Sequence, residues 1–336
     1  MRGWPCQDFQ IETNIEFRRH APIRRGDWQS VNKIAALKAR LRIPAIAAPM
    51  FLVSGIDLVL AACRAGIIGA FPANNARTID DLEVWLQTIT AETTNLDAPW
   101  AVNIMVHRTY LRMDEELALL LRYRPPIVIT ALGSPKAVVS AIQGYGGLVF
   151  ADVNSLTYAR KAAEAGVDGL VLIASGAGGH TGMLSPFAFV PAVREFFDGA
   201  IVLGGAIGSG RAIAAAEMLG ADFAYLGTRF IASRESIAQE GYKRMLIEAT
   251  ADDIVLSASL TGVPANWIKA SLIAAGYDPA QMGPKAEIQL GRPENAKAKR
   301  WRDVWAAGHG VGAVHKMESV TEIVDELARD YAAAKS

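Results

Sequence analysis

Beyond the first forty residues, short β-branched apolar runs alternate with longer amphipathic segments. The apolar runs begin at Ala45, Ile67, Trp100, Ile127, Leu148, Gly169, Ala200 and Phe223, which makes eight candidate strands. Gly169-Leu170-Val171-Leu172-Ile173 has no polar position, the pattern of a parallel strand buried on both faces. Successive runs start roughly 20 to 35 residues apart, which is what a strand, two loops and a crossover helix require. Eight such units predict an α/β fold, a (β/α)8 TIM barrel. An open doubly wound sheet is the alternative, because strand runs alone do not specify closure.

The amphipathic segments carry their own boundaries. Asp57 to Ala65, Ser155 to Ala165 and Ser209 to Leu219 are each followed by glycine, at Gly66, Gly166 and Gly220, the residue expected just past a helix end. AAEAGVDGLVL (162–172) and AAEMLGADFAYLG (215–227) repeat one phrase of helix end, glycine, aspartate and strand, so a repeated unit is expected. From Thr250 to Gly312 the periodicity is lost through Thr261-Gly262-Val263-Pro264, Trp267, Tyr277-Asp278-Pro279 and a basic run from Lys297 to Arg302. Ser319 followed by Glu322 then reads as the capping box of a last helix reaching about Ala332. The expected organisation is an N-terminal arm (1–40), a barrel (41–249), an inserted lid segment (250–316) and a C-terminal helix completing the barrel (317–336).

Composition narrows the class of partner. With 34 basic against 34 acidic side chains the formal net charge is zero, which gives no footprint for nucleic acid or a strongly acidic partner. Cys6 and Cys63 stand far apart with no CxxC, against a disulfide scaffold or a zinc site, so no metal is expected and a reducing cytoplasm is the simplest home. No apolar run is long enough to span a bilayer, so no membrane partner is expected. The arm carries Arg18-Arg19 and Arg24-Arg25 among Glu12 and Glu16, without the apolar stretch of a signal peptide. It reads as a segment that contacts another subunit, which leaves a homodimer open.

The chemistry concentrates at the C-terminal ends of the runs, where a parallel barrel places its ligand. After the sixth run comes Ala174-Ser175-Gly176-Ala177-Gly178-Gly179-His180-Thr181-Gly182, a single imidazole among glycines that let backbone approach a ligand. Gly204-Gly205-Ala206 after the seventh run heads a helix, and Gly227-Thr228-Arg229 follows the eighth, offering bare amides, a hydroxyl and a guanidinium to an anion. No GxGxxG with a distant acidic residue is present, so a phosphate monoester such as FMN fits better than a dinucleotide. Pro49, Met50, Asn74, Asn75, Asn103, Thr130 and Asp152 stand at the other run ends, where they could meet a flavin ring and its ribityl hydroxyls. Taken singly, each has an equally good structural explanation. His107 is a second candidate for substrate contact, whereas His309 and His315 in the glycine-rich tail read as structural or solvent-facing, and His20 belongs to the arm.

From about Ile43 onward the chain resembles the nitronate monooxygenases, formerly called 2-nitropropane dioxygenases. The resemblance is carried by IPAIAAPMFLVSG (43–55), AVNIMVH (101–107), EAGVDGLVLIASGAGGHTG (164–182), GGAIGSGRAIAAAEMLGADFAYLGTRFIAS (204–233), TGVPAN (261–266) and WAAGHGVGAVHKMESVTEIV (305–324). It implies FMN as cofactor, with Pro49, Met50, Asn103 and Thr130 at the ring and Gly179, Gly205, Gly227 and Thr228 around the phosphate. It also implies His180 as the catalytic residue facing flavin and substrate. Gly204, Ala206 and Asp152 join the cofactor set by position, and His107 and Asn266 are candidate substrate contacts. Ala151 departs from the pattern, standing where relatives commonly carry a polar residue. The implied reaction is oxidation of an alkyl nitronate, or a nitroalkane, by O2 to a carbonyl compound and nitrite. Its rivals are an NAD(P)H-dependent reductase of quinones or enoyl thioesters on the same barrel, and a flavin-binding module without turnover.

Overall fold

Eight parallel strands pair in sequence, and the last returns to the first. In the computed structural model, which describes residues 28–96, 98–282 and 301–336, they are β1 (Ala45–Ala47), β2 (Ile68–Pro72), β3 (Trp100–Met105), β4 (Ile127–Ala131), β5 (Leu148–Val153), β6 (Gly169–Ile173), β7 (Ala200–Gly204) and β8 (Phe223–Leu226). Closure is made by β8 lying against β1, with Ala224 opposite Ala45 and Leu226 opposite Ala47, so the open sheet is excluded. The fold is a TIM barrel.

Alternation along each strand divides the core in two. Ile46, Ile68, Ala101, Ile129, Phe150, Val171, Val202 and Phe223 turn inward and fill the barrel. Their neighbours, among them Phe71, Val102, Val128, Val149, Leu170 and Ile201, pack outward on the helices. A two-period strand buried on both sides demands this unbroken apolar run. The helix Trp28–Ala39 buries Ile34 and Leu37 against the inner cluster that includes Ile127, Leu148 and Ala200 at the strands' N-terminal ends. The lower mouth is thereby stopped, which leaves the C-terminal mouth for a ligand. The arginine pairs at 18–19 and 24–25, His20, and the basic run as far as Arg300 lie outside the described residues.

After β8 and the helix Glu240–Glu248 come β9 (Ile254–Ser257) and β10 (Ala265–Ile268), an antiparallel pair outside the barrel. The chain returns through Trp301 to Val314 to the last helix, Val320–Lys335, whose N-terminus has the expected capping box of Ser319 and Glu322. That helix packs between Gly210–Met218 and Ile56–Arg64, filling the eighth helical position around the barrel. Among the described residues no helix is long and apolar enough to cross a membrane.

The contact between helices Gly210–Met218 and Val320–Lys335 is closest at Gly210, where a methyl group would overlap the Leu327 carbonyl oxygen and the Tyr331 amide. Gly210→Ala must therefore part the two helices. It is expected to cost about 1–3 kcal/mol by overpacking, read as a lower urea midpoint at unchanged slope.

Candidate functional site

His180 is placed by backbone pairing. The chain leaves β6 at Ile173 and loops back on itself, Ser175 N donating to Leu184 O at 2.8 Å and Thr181 Oγ1 to Ala174 O at 3.2 Å. The two residues Gly179 and His180 then form a short strand antiparallel to β10, with Ala265 opposite His180 and Asn266 opposite Gly179. Thr181 N donates to Pro264 O at 3.1 Å, and the buried Asn266 amide donates from Nδ2 to Ala177 O at 2.7 Å. The inserted segment thus fixes both sides of the histidine loop. Trp301 meets the imidazole edge-on, with ring centroids 5.3 Å apart, and leans in turn on the buried Trp267. His180 keeps an exposed face, yet protein atoms crowd the rest of the ring, and this desolvation holds its pKa below the usual 6.5. The ring is neutral in neutral water.

Three loops make a cradle beside it. The amides of Gly205, Gly227 and Thr228 have no backbone partner among the described residues. Gly204 is still strand, its carbonyl accepting from Ala174 N, and Ala206 N donates to Gly176 O at 3.2 Å, so Ala206 frames the cradle rather than supplying a donor. The third side is the tail. Gly308 N donates to Thr228 Oγ1 at 2.9 Å and His309 N to Gly176 O at 2.9 Å, which puts His309 next to the cradle, where sequence reasoning had not placed it. Gly178 lies against this tail, and a Cβ there would stand 2.7 Å from Gly308 N and 3.2 Å from Thr228 Oγ1. Arg229 is turned away: only 2% exposed, its Nη2 donates to Glu318 and Glu326 of the C-terminal segment, so its guanidinium is a strut rather than an anion ligand.

Around the rim the expected residues divide. Pro49 and Met50 sit half-buried at the end of β1, the Met50 sulfur 3.5 Å from where a Cβ on Gly227 would point. Their turn is clamped by Asn75, whose amide donates to Met50 O and Ser54 O and accepts from Leu52 N. Asn103 shares the inward parity of Ala101, and Asp152 that of Phe150. Thr130 has the parity of Val128 and faces the helices, its hydroxyl donating to Phe150 O at 3.2 Å, so Ala131 takes the inward position. Gly179 is engaged in the ladder, and Asn266 holds the loop. His107 is exposed just beyond β3 with Nδ1 on Thr109 Oγ1 at 2.8 Å. Tyr225, absent from the sequence candidates, turns inward on β8, and among the described residues its hydroxyl is buried without a partner, as is Asp152 Oδ1.

A family model described as nitronate monooxygenase matches residues 73–330. The chain belongs to the nitronate monooxygenase family. It is 28% identical to a nitronate monooxygenase of Paraburkholderia phytofirmans, over 85% of this chain and 92% of that protein. It is 27% identical to the (3aS,4S,5R,7aS)-5-hydroxy-7a-methyl-1-oxo-octahydro-1H-indene-4-carboxyl-CoA dehydrogenase of Mycobacterium tuberculosis, over 68% of this chain and 64% of that one. Among solved structures, nitroalkane oxidase from Streptomyces ansochromogenes superposes with a TM-score of 0.76 at 25% identity, covering 89% of this chain and 99% of its own. FabK from Thermotoga maritima shares the fold, with a TM-score of 0.74 at 23% identity over 90% of this chain and 96% of its own.

The protein is accordingly a flavin-dependent oxidoreductase. The site's own donors fit that cofactor: three bare amides at adjoining strand ends suit an anionic group, and the orphaned polar atoms of Asp152 and Tyr225 suit a polar ring edge. Gly178→Ala pushes a methyl into the tail that closes the cradle, and is expected to weaken flavin binding about tenfold or more, or 1.4 kcal/mol. Quenching of flavin fluorescence on titration measures the change.

Proposed function

We propose that this protein is an FMN-dependent nitronate monooxygenase, oxidising a small alkyl nitronate, and the parent nitroalkane, with O2 to a carbonyl compound and nitrite. The placement of His180 carries the reading: a neutral imidazole, pinned by β10 and packed by Trp301, on the loop that adjoins the cradle. Gly205, Gly227 and Thr228 would hold the phosphate monoester through backbone N–H groups, with Met50 and Asn103 beside the ring. When bound, the flavin supplies the electron acceptor.

The rest of the chemistry belongs to the chain. A neutral His180 has a ring nitrogen lone pair able to take the α-proton of a nitroalkane, and the imidazolium so formed faces the nitronate anion it has produced. A nitronate supplied as such needs no base. Trp301 and the pinned loop restrict the ring to one approach and keep water from its packed side.

The relative acting on a CoA ester supports a second reading, an NAD(P)H-dependent reductase of a quinone or enoyl thioester. Anaerobic stopped-flow mixing separates the two: flavin bleaching by nitronate but not by NADH or NADPH is the monooxygenase outcome, and rapid bleaching by a nicotinamide is the reductase one. Acid release of the flavin and its mass distinguish FMN from FAD.

His180→Asn keeps the loop pairing but removes the base. Nitroalkane kcat/KM is expected to fall about 100-fold or more, while nitronate turnover falls far less. Because burial lowers the His180 pKa, the acid limb of the wild-type nitroalkane profile is expected below pH 6.5, and it disappears in the variant. Equal losses on both substrates would remove the base role.

A further inference from the structure

We propose that Asp152 and Tyr225 form a proton-holding pair inside the barrel, and that Asp152 takes up a proton from water when the flavin bound at this mouth is reduced. The inference rests on the flavin site described above and goes beyond it, since it assigns no binding contact but a charge-balancing role.

The geometry begins with strand parity. Asp152 is the next inward position after Phe150 on β5, and Tyr225 the next after Phe223 on β8. On β7 between β6 and β8, the inward position is Gly204, and the Tyr225 ring fills the room left there, its Cδ1 3.2 Å from where a Gly204 Cβ would stand, with Ile173 Cδ1 at 3.7 Å. The two polar groups thus share the upper layer of an otherwise apolar barrel. Tyr225 is only 8% exposed, and among the described residues neither its hydroxyl nor Asp152 Oδ1 has a hydrogen-bond partner. Two orphaned polar atoms in one layer are expensive unless a ligand or a proton satisfies them.

Their electrostatics agree. Burial pushes the Asp152 carboxyl up to about 7, with no cation among the described residues opposing it, and burial together with the Asp152 charge holds the Tyr225 phenol well above its usual range. Tyr225 is therefore a neutral donor throughout, while Asp152 changes charge near neutrality. His180 on the loop after β6, His309 beside the cradle and His107 beyond β3 are the other titratable groups described at the mouth, and none has a part in the shift of Asp152.

The balance is simple. Oxidation of a nitronate delivers electrons to the cofactor and adds negative charge beside the layer. An ionised Asp152 is then disfavoured, and its carboxylate binds one proton from water, forming an O–H bond while no bond to carbon breaks. Tyr225 keeps its phenolic proton throughout and acts on Asp152 through space, with no hydrogen bond between the two. The result is a reduction potential that carries one extra proton near neutral pH.

The test is the potential of the bound flavin measured across pH by dye equilibration. Wild type is expected to show an inflection near neutrality, Asp152→Asn to lose it, and His180→Asn to leave it in place. A profile unchanged in Asp152→Asn overturns the proposal. The flavin-free protein gives a second readout, because a carboxyl whose folded pKa is raised loses stability as pH climbs from its unfolded value toward about 7. Asp152→Asn should accordingly gain on wild type in urea midpoint over that interval, and parallel curves would refute the buried pair. If FMN does not bind at all, the cradle reading fails by that result, and the flavin-free curves still decide whether the pair exists.

Discussion

Everything at the mouth depends on one short antiparallel pairing, that of Gly179 and His180 with Asn266 and Ala265. A glycine-rich loop has more conformational entropy to lose than any other, so an imidazole carried on it has no fixed position by itself. The inserted segment supplies the restraint from outside the barrel, through the ladder, through Thr181 N to Pro264 O, and through the Asn266 side chain to Ala177 O. Each such hydrogen bond contributes only about 1 kcal/mol net. Their cost if unmade is larger, since Asn266 is buried and would lose its partner. The restraint is cooperative: it sets the imidazole against Trp301, and the same loop carries Gly176 and Gly178 to the tail.

The cradle is likewise assembled from distant sequence. Thr228 begins the short helix after β8, accepts from Gly308 in the tail, and stands next to Arg229, whose buried guanidinium ties that helix to Glu318 and Glu326. Removing one partner of a buried ion pair costs about 3–5 kcal/mol. The Thr228 hydroxyl is therefore held by a strut that never touches it. A guanidinium beside two glycine-rich loops is thus turned to carboxylates, and the amides of Gly205, Gly227 and Thr228 are the groups left without a backbone partner among the described residues.

What could be read in advance follows the range of the interactions. All eight strands, the helix ends at Gly66, Gly166 and Gly220, and the capping box at Ser319 were legible, because apolar period and caps are local properties of the chain. The glycine loops and His180 were legible because a barrel fixes which strand ends meet. Thr130 misled, since proximity to a strand end does not give parity, and one residue's shift turns a side chain from barrel to helix layer. The surroundings of Asn266 and His309 were not legible for a different reason: their neighbours are the histidine loop and the cradle, each far off in sequence and brought near only by the fold of the segment after β8 and the tail. Tyr225 lay within a recognised strand, yet an apolar run does not announce which of its members ends with a buried, unpartnered hydroxyl.

The two titratable side chains of the mouth are displaced in opposite directions by the same cause. Desolvation disfavours the charged form of each, lowering His180 and raising Asp152 to about 7. Near neutrality, then, neither group brings a formal positive charge to the mouth. On the reading proposed above, a flavin phosphate would be met by backbone N–H dipoles, which do not titrate, so its binding would be insulated from pH. The side chains are thereby released from electrostatic duty and can move protons at pH values close to those of the solution, where transfer in either direction is cheapest. A permanent cation at the His180 position would hold a nitronate more tightly but could not take a proton from a nitroalkane. The packing by Trp301, and the absence of a cation near Asp152 among the described residues, are what keep both groups convertible.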